Sequence, residues 1–175
     1  MRKGIGLLRV RAVAGAKGRG RLHAGGLALP CALGPAGIVR LKREGDGATP
    51  AGRFRLVSAC WRADRAPRPR LALPLAPIRP GDLWCDDARH ALYNRPARAP
   101  FAGGCEKMAR DDRLYDLVIV TDHNQRPRVR GAGSAIFFHI AREGFSPTQG
   151  CVAIAPEAMA RLAPRLARRV VLAIG

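Results

Sequence analysis

The sequence predicts a mainly β domain, a sandwich of the barrel-like kind with one short helix late in the chain. Three observations carry this. Short apolar segments recur near 5–12, 36–41, 53–60, 114–121, 134–140, 151–154 and 169–174, the spacing of strands in a sandwich. Fourteen prolines and twenty glycines separate them, enough for many tight turns. Only 5% of the residues are aromatic and thirty are alanine, so the core must be built from small and aliphatic side chains.

Each element follows from its local pattern. Residues 5–12 open the chain behind a basic head, but Arg9 and Arg11 break the apolar stretch. That stretch is too short for a signal-peptide core. Leu27-Ala28-Leu29-Pro30 leads into Cys31, and Phe54 to Trp61 carries Cys60 along a strand-like run. Residues 62–80, broken by proline and without periodicity, predict a surface loop. The run 114–121 ends on Asp122-His123-Asn124, good turn chemistry. Ala135 to Ile140 is continuously apolar except for His139, which predicts a strand buried on both faces. The helix is predicted over 156–162, with Pro156 at its first position and Glu157 near the positive end of its dipole. Pro164 should end it. The length of 175 residues predicts one domain over 1–175.

The formal net charge is +18, and all but four of the 31 cations are arginine. Such a charge favours polyanionic partners. The arginines are scattered and accompany no recognised nucleic-acid module, so no specific nucleic acid is expected. No run of 18 apolar residues exists to cross a membrane as a helix. Nor is there a P-loop, a dinucleotide fingerprint or a zinc-protease motif.

Five cysteines at wide spacing do not make a disulfide framework, and they lack the paired spacings of a zinc site. Cys31, Cys60, Cys85 and Cys105 read as small buried hydrophobes. Cys151 differs. Ser146-Pro147-Thr148-Gln149-Gly150 leads into it and Val152-Ala153-Ile154 leads away, so it stands where a loop enters a strand. Gly150 permits a tight or positive-φ turn, whose amides can converge as an oxyanion hole requires. About ten residues upstream, His139 interrupts its apolar run. Two readings of the pair stay open on the residues alone. One is a nucleophilic thiol activated by an imidazole, which takes its proton and leaves a thiolate. The other is a core histidine satisfied by a carbonyl, beside an inert cysteine.

The stretch Gly133-Ser134-Ala135-Ile136-Phe137-Phe138-His139, followed by Pro147-Thr148-Gln149-Gly150-Cys151-Val152-Ala153-Ile154, resembles the active-site signature of the L,D-transpeptidase catalytic domain (YkuD-type) family. Thr49-Pro50-Ala51-Gly52-Arg53-Phe54 is similar to a turn of that family. Trp84-Cys85-Asp86-Asp87, Tyr93-Asn94, Glu106, Asp112 to Asp116 and Asn124 are similar to blocks of its short, single-domain branch. The chain departs from many members at Gln149, where they carry His or Tyr. It departs again at Ala153, where they carry an Arg or Asn that helps to position substrate.

The resemblance implies a β-sandwich catalytic domain that needs no metal or organic cofactor. It implies peptidoglycan stem peptides as partners, with Cys151 as nucleophile, His139 as base and acid, and the Gly150 amide as an oxyanion donor. Cleavage falls between the L centre of a tetrapeptide's third residue and D-Ala. A thioester then passes the acyl group to an amine, forming a 3→3 crosslink. Water as acceptor would make an L,D-carboxypeptidase; a non-catalytic basic module binding wall polymer or nucleic acid is the reading from another class. Ser134, Thr148, Gln149, His123 and Trp84 are the candidate substrate-side residues. Asp86 and Asp87 read either as contacts for substrate amines or as turn caps, and Glu44 and Asp46 as residues of an exposed Gly-rich turn. Arg128, Arg130 and Arg142 are candidate carboxylate partners, with nothing to select among them. The family is usually exported to the cell envelope or periplasm; this chain shows no export signal, which leaves the cytoplasm open. Oligomeric state is not legible.

Overall fold

The structure, a computed structural model, describes residues 4–175. The expected domain over 1–175 thus has its first three residues outside the described range. Fourteen strands and one α-helix follow in order: β1 (Ile5–Ala12), β2 (Arg19–Ala24), β3 (Leu27–Ala32), β4 (Ile38–Val39), β5 (Thr49–Pro50), β6 (Gly52–Trp61), β7 (Leu75–Pro77), β8 (Asp82–Cys85), β9 (Arg95–Arg98), β10 (Cys105–Lys107), β11 (Leu117–Thr121), β12 (Phe137–Ile140), β13 (Val152–Ile154), α1 (Pro156–Leu162) and β14 (Leu166–Ile174).

Nine strands form the main sheet in the order β11-β12-β13-β3-β2-β1-β14-β6-β7, and β6 also pairs with β11. The two halves of β6 serve different neighbours: Gly52 to Arg55 lie against β14, and Leu56 to Trp61 against β11. The sheet therefore curls back on itself as a barrel-like β-sandwich, which leaves few edges for mispairing. Most neighbours are antiparallel, but β12 runs parallel to β13. A parallel step requires the chain to cross over between the two strands, and this crossover brings Cys151 beside the strand of His139.

The interior is aliphatic, as the composition predicts. Leu8, Val10, Leu22, Ile119, Phe138, Val152, Ile154, Leu162 and Leu172 sit in it with at most 1% exposure. Each such Leu, Ile or Phe contributes about 1.5–3 kcal/mol by leaving water. A second, smaller cluster lies on the other face of β11 and β12, where Trp84, Met108, Tyr115, Val118, Val120 and Phe137 meet. It joins the main sheet to a three-stranded sheet of order β10-β8-β9. β11 and β12 are thus covered on both sides, which explains their nearly unbroken apolar sequence.

The helix spans the predicted residues, with Pro156 in its first turn and Met159 and Leu162 turned inward. A 3-10 turn at Ala163–Arg165 carries the chain into β14. Two sequence expectations need correction. The stretch 62–80 is not surface loop throughout: Leu75–Pro77 adds a strand to β6, and Leu73 and Ile78 are buried. Cys60 and Cys105 are half-buried and not core residues, whereas Cys31 and Cys85 are buried as expected. The β2–β3 hairpin escaped prediction because Arg19 to Ala24 alternates glycine, arginine and histidine with few apolar residues.

Candidate active site

In β12 the side chains alternate between faces. Phe138 and Ile140 enter the core, while Phe137 and His139 face the other way. The same alternation in β13 sends Val152 and Ile154 inward and leaves Cys151 and Ala153 opposite. The parallel register sets Phe138 against Val152 and His139 against Ala153. Cys151 and His139 therefore share one face on neighbouring strands, one pair out of step. Both line a cleft of about 370 Å³.

Gly150 makes the approach to Cys151 possible. Its φ is 125°, and a Cβ there would lie 2.6 Å from the Ala48 carbonyl oxygen. No side chain fits, so the glycine is dictated by space as well as by dihedral. Gly133, at φ 91°, is similarly blocked by the Lys42 stem at 2.8 Å. It opens the segment that passes Ser134 and Ala135 along the cleft.

The thiol is held by backbone on two sides. Sγ donates to the Ala135 carbonyl at 3.2 Å, and the Phe137 amide donates to Sγ at 3.3 Å. Cys151 is 8% exposed, and burial pushes its thiol up to about 12, against a smaller lowering from the Phe137 amide. The His139 ring lies 2.8 Å by Nδ1 from the Ile140 carbonyl oxygen. A carbonyl only accepts, so Nδ1 carries the proton. Nε2 is left as the basic nitrogen of a ring that lines the cleft. Burial lowers this imidazole to about 4, with the Ile140 carbonyl opposing. Tyr115 stacks edge-on against the ring at 5.3 Å. The resting pair is therefore a neutral thiol and a neutral imidazole, not a preformed thiolate.

The loop before the cysteine is braced by its own threonine. Thr148 Oγ1 donates to the Cys151 carbonyl at 2.7 Å and accepts from the Gly150 amide at 3.1 Å. The Gly150 amide, expected to face an oxyanion, is thus engaged by Thr148. Ser134, Thr148 and Gln149 all line the cleft. Trp84 and His123 do not. Trp84 is 6% exposed, donates to Asn94 Oδ1 at 3.0 Å and meets Phe137 edge-on at 5.1 Å. It supports the cleft from beneath. His123 points Nε2 at the Ala132 carbonyl and packs edge-on against Phe54. Half-buried there, it is neither in the cleft nor simply a solvated turn residue.

Several residues of the cleft come from distant loops. Glu44 is exposed, as its Gly-rich turn predicts, yet it is engaged: its Oε2 accepts from Tyr93 at 2.5 Å and from Ser134 at 2.7 Å. Burial, and then the Glu44 carboxylate, raise the Tyr93 phenol well above its ordinary value. Asp46 is likewise engaged, by the ammonium of the buried Lys42. Asp86 lines the cleft, and burial followed by repulsion from Glu44 raises its carboxyl. Asp87 caps the turn at the Arg89 amide instead. On the opposite wall Asp112 holds Arg110 through two hydrogen bonds, at 2.8 and 2.7 Å, and Glu106 takes a third at 2.6 Å. Arg142 reaches Asp112 only at 3.5 Å and its side chain is 56% exposed. The structure thus selects Arg142 for the cleft, while Arg128 and Arg130 flank a separate surface hollow. Arg110 escaped the sequence reading, and Tyr115 entered it only within the block Asp112 to Asp116. The ion pairs around Arg110, at Glu106 and Asp112, were the local signal available for it.

The family model for the L,D-transpeptidase catalytic domain (YkuD) matches residues 17–172, nearly the whole chain. The chain belongs to the L,D-transpeptidase catalytic domain family. Its mainly β architecture fits that family's fold. No curated protein and no solved structure matches the chain. Membership carries an L,D-transpeptidase class of activity and peptidoglycan peptides as the family's field of action. Among the described residues no helix is long and apolar enough to cross a membrane.

Proposed function

We propose that this domain is a cysteine acyltransferase of the cell envelope acting on peptidoglycan stem peptides. In this reading it cleaves the bond between the L centre of a tetrapeptide's third residue and D-Ala, and passes the acyl group to an amine in a 3→3 crosslink. The observation that supports it is the shared face of Cys151 and His139, both lining the cleft, with Nδ1 fixed on the Ile140 carbonyl so that Nε2 is the basic nitrogen.

An amide is a weak electrophile, so the step needs a strong nucleophile and a stabilised oxyanion. The thiol turns from the Ala135 carbonyl toward Nε2. Its proton passes to the ring as Sγ attacks the carbonyl carbon. A free ion pair is disfavoured by burial of both groups, so proton transfer accompanies attack and does not precede it. The Phe137 amide steadies the sulfur while charge develops. With the Gly150 amide engaged by Thr148, the Cys151 amide takes the oxyanion. The imidazolium returns its proton to the departing D-Ala nitrogen as the carbon–nitrogen bond breaks, leaving a thioester. The acceptor amine then attacks the thioester, giving its proton to Nε2. Cys151 leaves and recovers that proton.

The two walls suit a substrate bearing both charges. Glu44 and Asp86 stand on the side where an acceptor ammonium would approach, and Arg142 is the freer guanidinium for a stem carboxylate. Arg142 thereby serves the positioning role that family members give to the position of Ala153.

A carbapenem tests the nucleophile directly. The whole protein gains one covalent adduct by mass, localised to Cys151, and Cys151→Ala gains none. An adduct that persists in Cys151→Ala overturns the reading. Incubation with stem tetrapeptide then reads the acceptor: crosslinked dimers support amine transfer, whereas tripeptide alone assigns water.

A further inference from the structure

The small sheet behind the cleft places two cysteines opposite one another. Cys85 ends β8, Cys105 begins β10, and the antiparallel register pairs them directly. The hydrogen bonds on either side fix the kind of pair. Asp86 donates to the Gly104 carbonyl and Met108 to that of Asp82. Hydrogen-bonded and non-hydrogen-bonded pairs alternate along an antiparallel ladder. With 82/108 and 86/104 bonded, 85/105 is a non-hydrogen-bonded pair. The other side of β8 agrees: the Cys85 carbonyl accepts from Asn94, away from β10.

In such a pair the α-carbons approach to about 4.5 Å, inside the range of about 4.4–6.8 Å that a disulfide spans. Alternation along β8 and β10 also settles the face. Trp84 and Glu106, opposite one another, look toward Phe137 and the cleft. Cys85 and Cys105 therefore project together from the far face. Cys85 is fully buried and Cys105 half-buried, so Cys105 is the more accessible of the two to a reagent. Both thiols stand free in the structure.

We propose that Cys85 and Cys105 are a site of oxidative modification, closing a cross-strand disulfide by exchange with a thiol–disulfide oxidant. The Cys105 thiolate attacks the oxidant's disulfide, forming a mixed disulfide and releasing one thiol. Cys85, losing its proton, then attacks the Cys105 sulfur and expels the second thiol. The two protein thiols are oxidised and the oxidant is reduced to two thiols. Oxidants of this class belong to compartments outside the reducing cytosol.

The bond would close the segment 86–104, which supports the cleft. Asp86 lines the cleft, Tyr93 donates to Glu44, and Asn94 Oδ1 accepts from the Ala135 amide at 3.1 Å. A closed loop of roughly twenty residues removes entropy from the unfolded chain. The inference stands apart from the acyl-transfer reading, which the carbapenem adduct on Cys151 reports separately.

The test treats the full chain with oxidised glutathione, alkylates the remaining thiols, digests without reduction and maps the peptides. We expect one linked peptide pair holding Cys85 and Cys105, and a Tm raised by about 5–10 °C, reversed by dithiothreitol. Cys105→Ser removes both the linkage and the Tm rise, yet still takes the carbapenem at Cys151. Glutathione retained on Cys105 in the wild type overturns the proposal, as does alkylation of both cysteines after oxidation. So does a Tm rise that survives Cys105→Ser.

Discussion

The two faces of the β12–β13 pair carry opposite assignments. One face presents Phe138, Ile140, Val152 and Ile154 to the main core. The other presents Phe137, His139, Cys151 and Ala153 toward the smaller cluster and the cleft. Strands of four and three residues serve both, because the strand period of two separates neighbours in sequence onto opposite sides. The core face anchors the backbone; the cleft face then inherits fixed positions for its polar groups without a rigid scaffold of its own. Burial acts differently on the two. Hydrocarbon gains from leaving water, whereas the imidazole and thiol have their charged forms suppressed.

Adjacent substitutions break this comparison most sharply. His139→Gln should cut the rate of carbapenem acylation by about 10²–10⁴-fold, the usual contribution of a positioned acid–base group, while the protein stays folded. Phe138→Ala, one residue away, should cost about 3–5 kcal/mol of stability. Its folded fraction should still acylate at close to the wild-type rate. Denaturant unfolding and adduct kinetics on both variants check the separation. A Phe138→Ala protein that is stable but inert would show that the faces are not independent.

A pH series sharpens the same contrast, since only the cleft face titrates. The folded His139 holds no proton until about pH 4, whereas an unfolded histidine binds one near about 6.5. Between those values the unfolded chain binds more protons, so stability falls as pH drops through that window. The contribution of His139 is about 3 kcal/mol, fully present above 6.5 and gone below 4. Acylation should fail over the lower end of the same range, as Nε2 gains its proton. The stability of His139→Gln should lack this share of the slope. If the two proteins lose stability in parallel from pH 6.5 to 4, the imidazole is not held neutral.

The two faces also differ in how far the sequence discloses them. The apolar run with one interrupting histidine and the glycine before Cys151 expose the catalytic strands, because both signals are local. The helix is legible for the same reason, from Pro156 and its inward Met159 and Leu162. The cleft walls are not. Glu44 is exposed, as its glycine-rich turn implies, but it meets Tyr93 and Ser134 across 49 and 90 residues of chain, partners that the turn does not announce. Trp84 misleads in the other direction. Its place beside two aspartates suggests a substrate contact, but its indole N–H is spent on Asn94 and its ring on Phe137. Local pattern reports which face a side chain takes, not which distant loop arrives to meet it.

Glu44 therefore offers the smallest and most selective change, one that reaches the cleft through its wall. Its Oε2 accepts from both Tyr93 and Ser134. Glu44→Gln keeps a carbonyl oxygen for both donors but loses the charge, so charge-assisted bonds become ordinary ones. The expected cost is about 1 kcal/mol. Glu44→Ala leaves the hydroxyl of the buried Tyr93 without its acceptor and should cost about 1–3 kcal/mol. Removing the carboxylate also removes one cause of the raised Tyr93 phenol, so tyrosinate should form at lower pH in both variants, read by ultraviolet titration. Because Ser134 precedes the residue whose carbonyl holds the thiol proton, acylation should slow several-fold in Glu44→Ala and recover in Glu44→Gln. Equal slowing in the two would mean that the charge, and not the tether on Ser134, acts on Cys151.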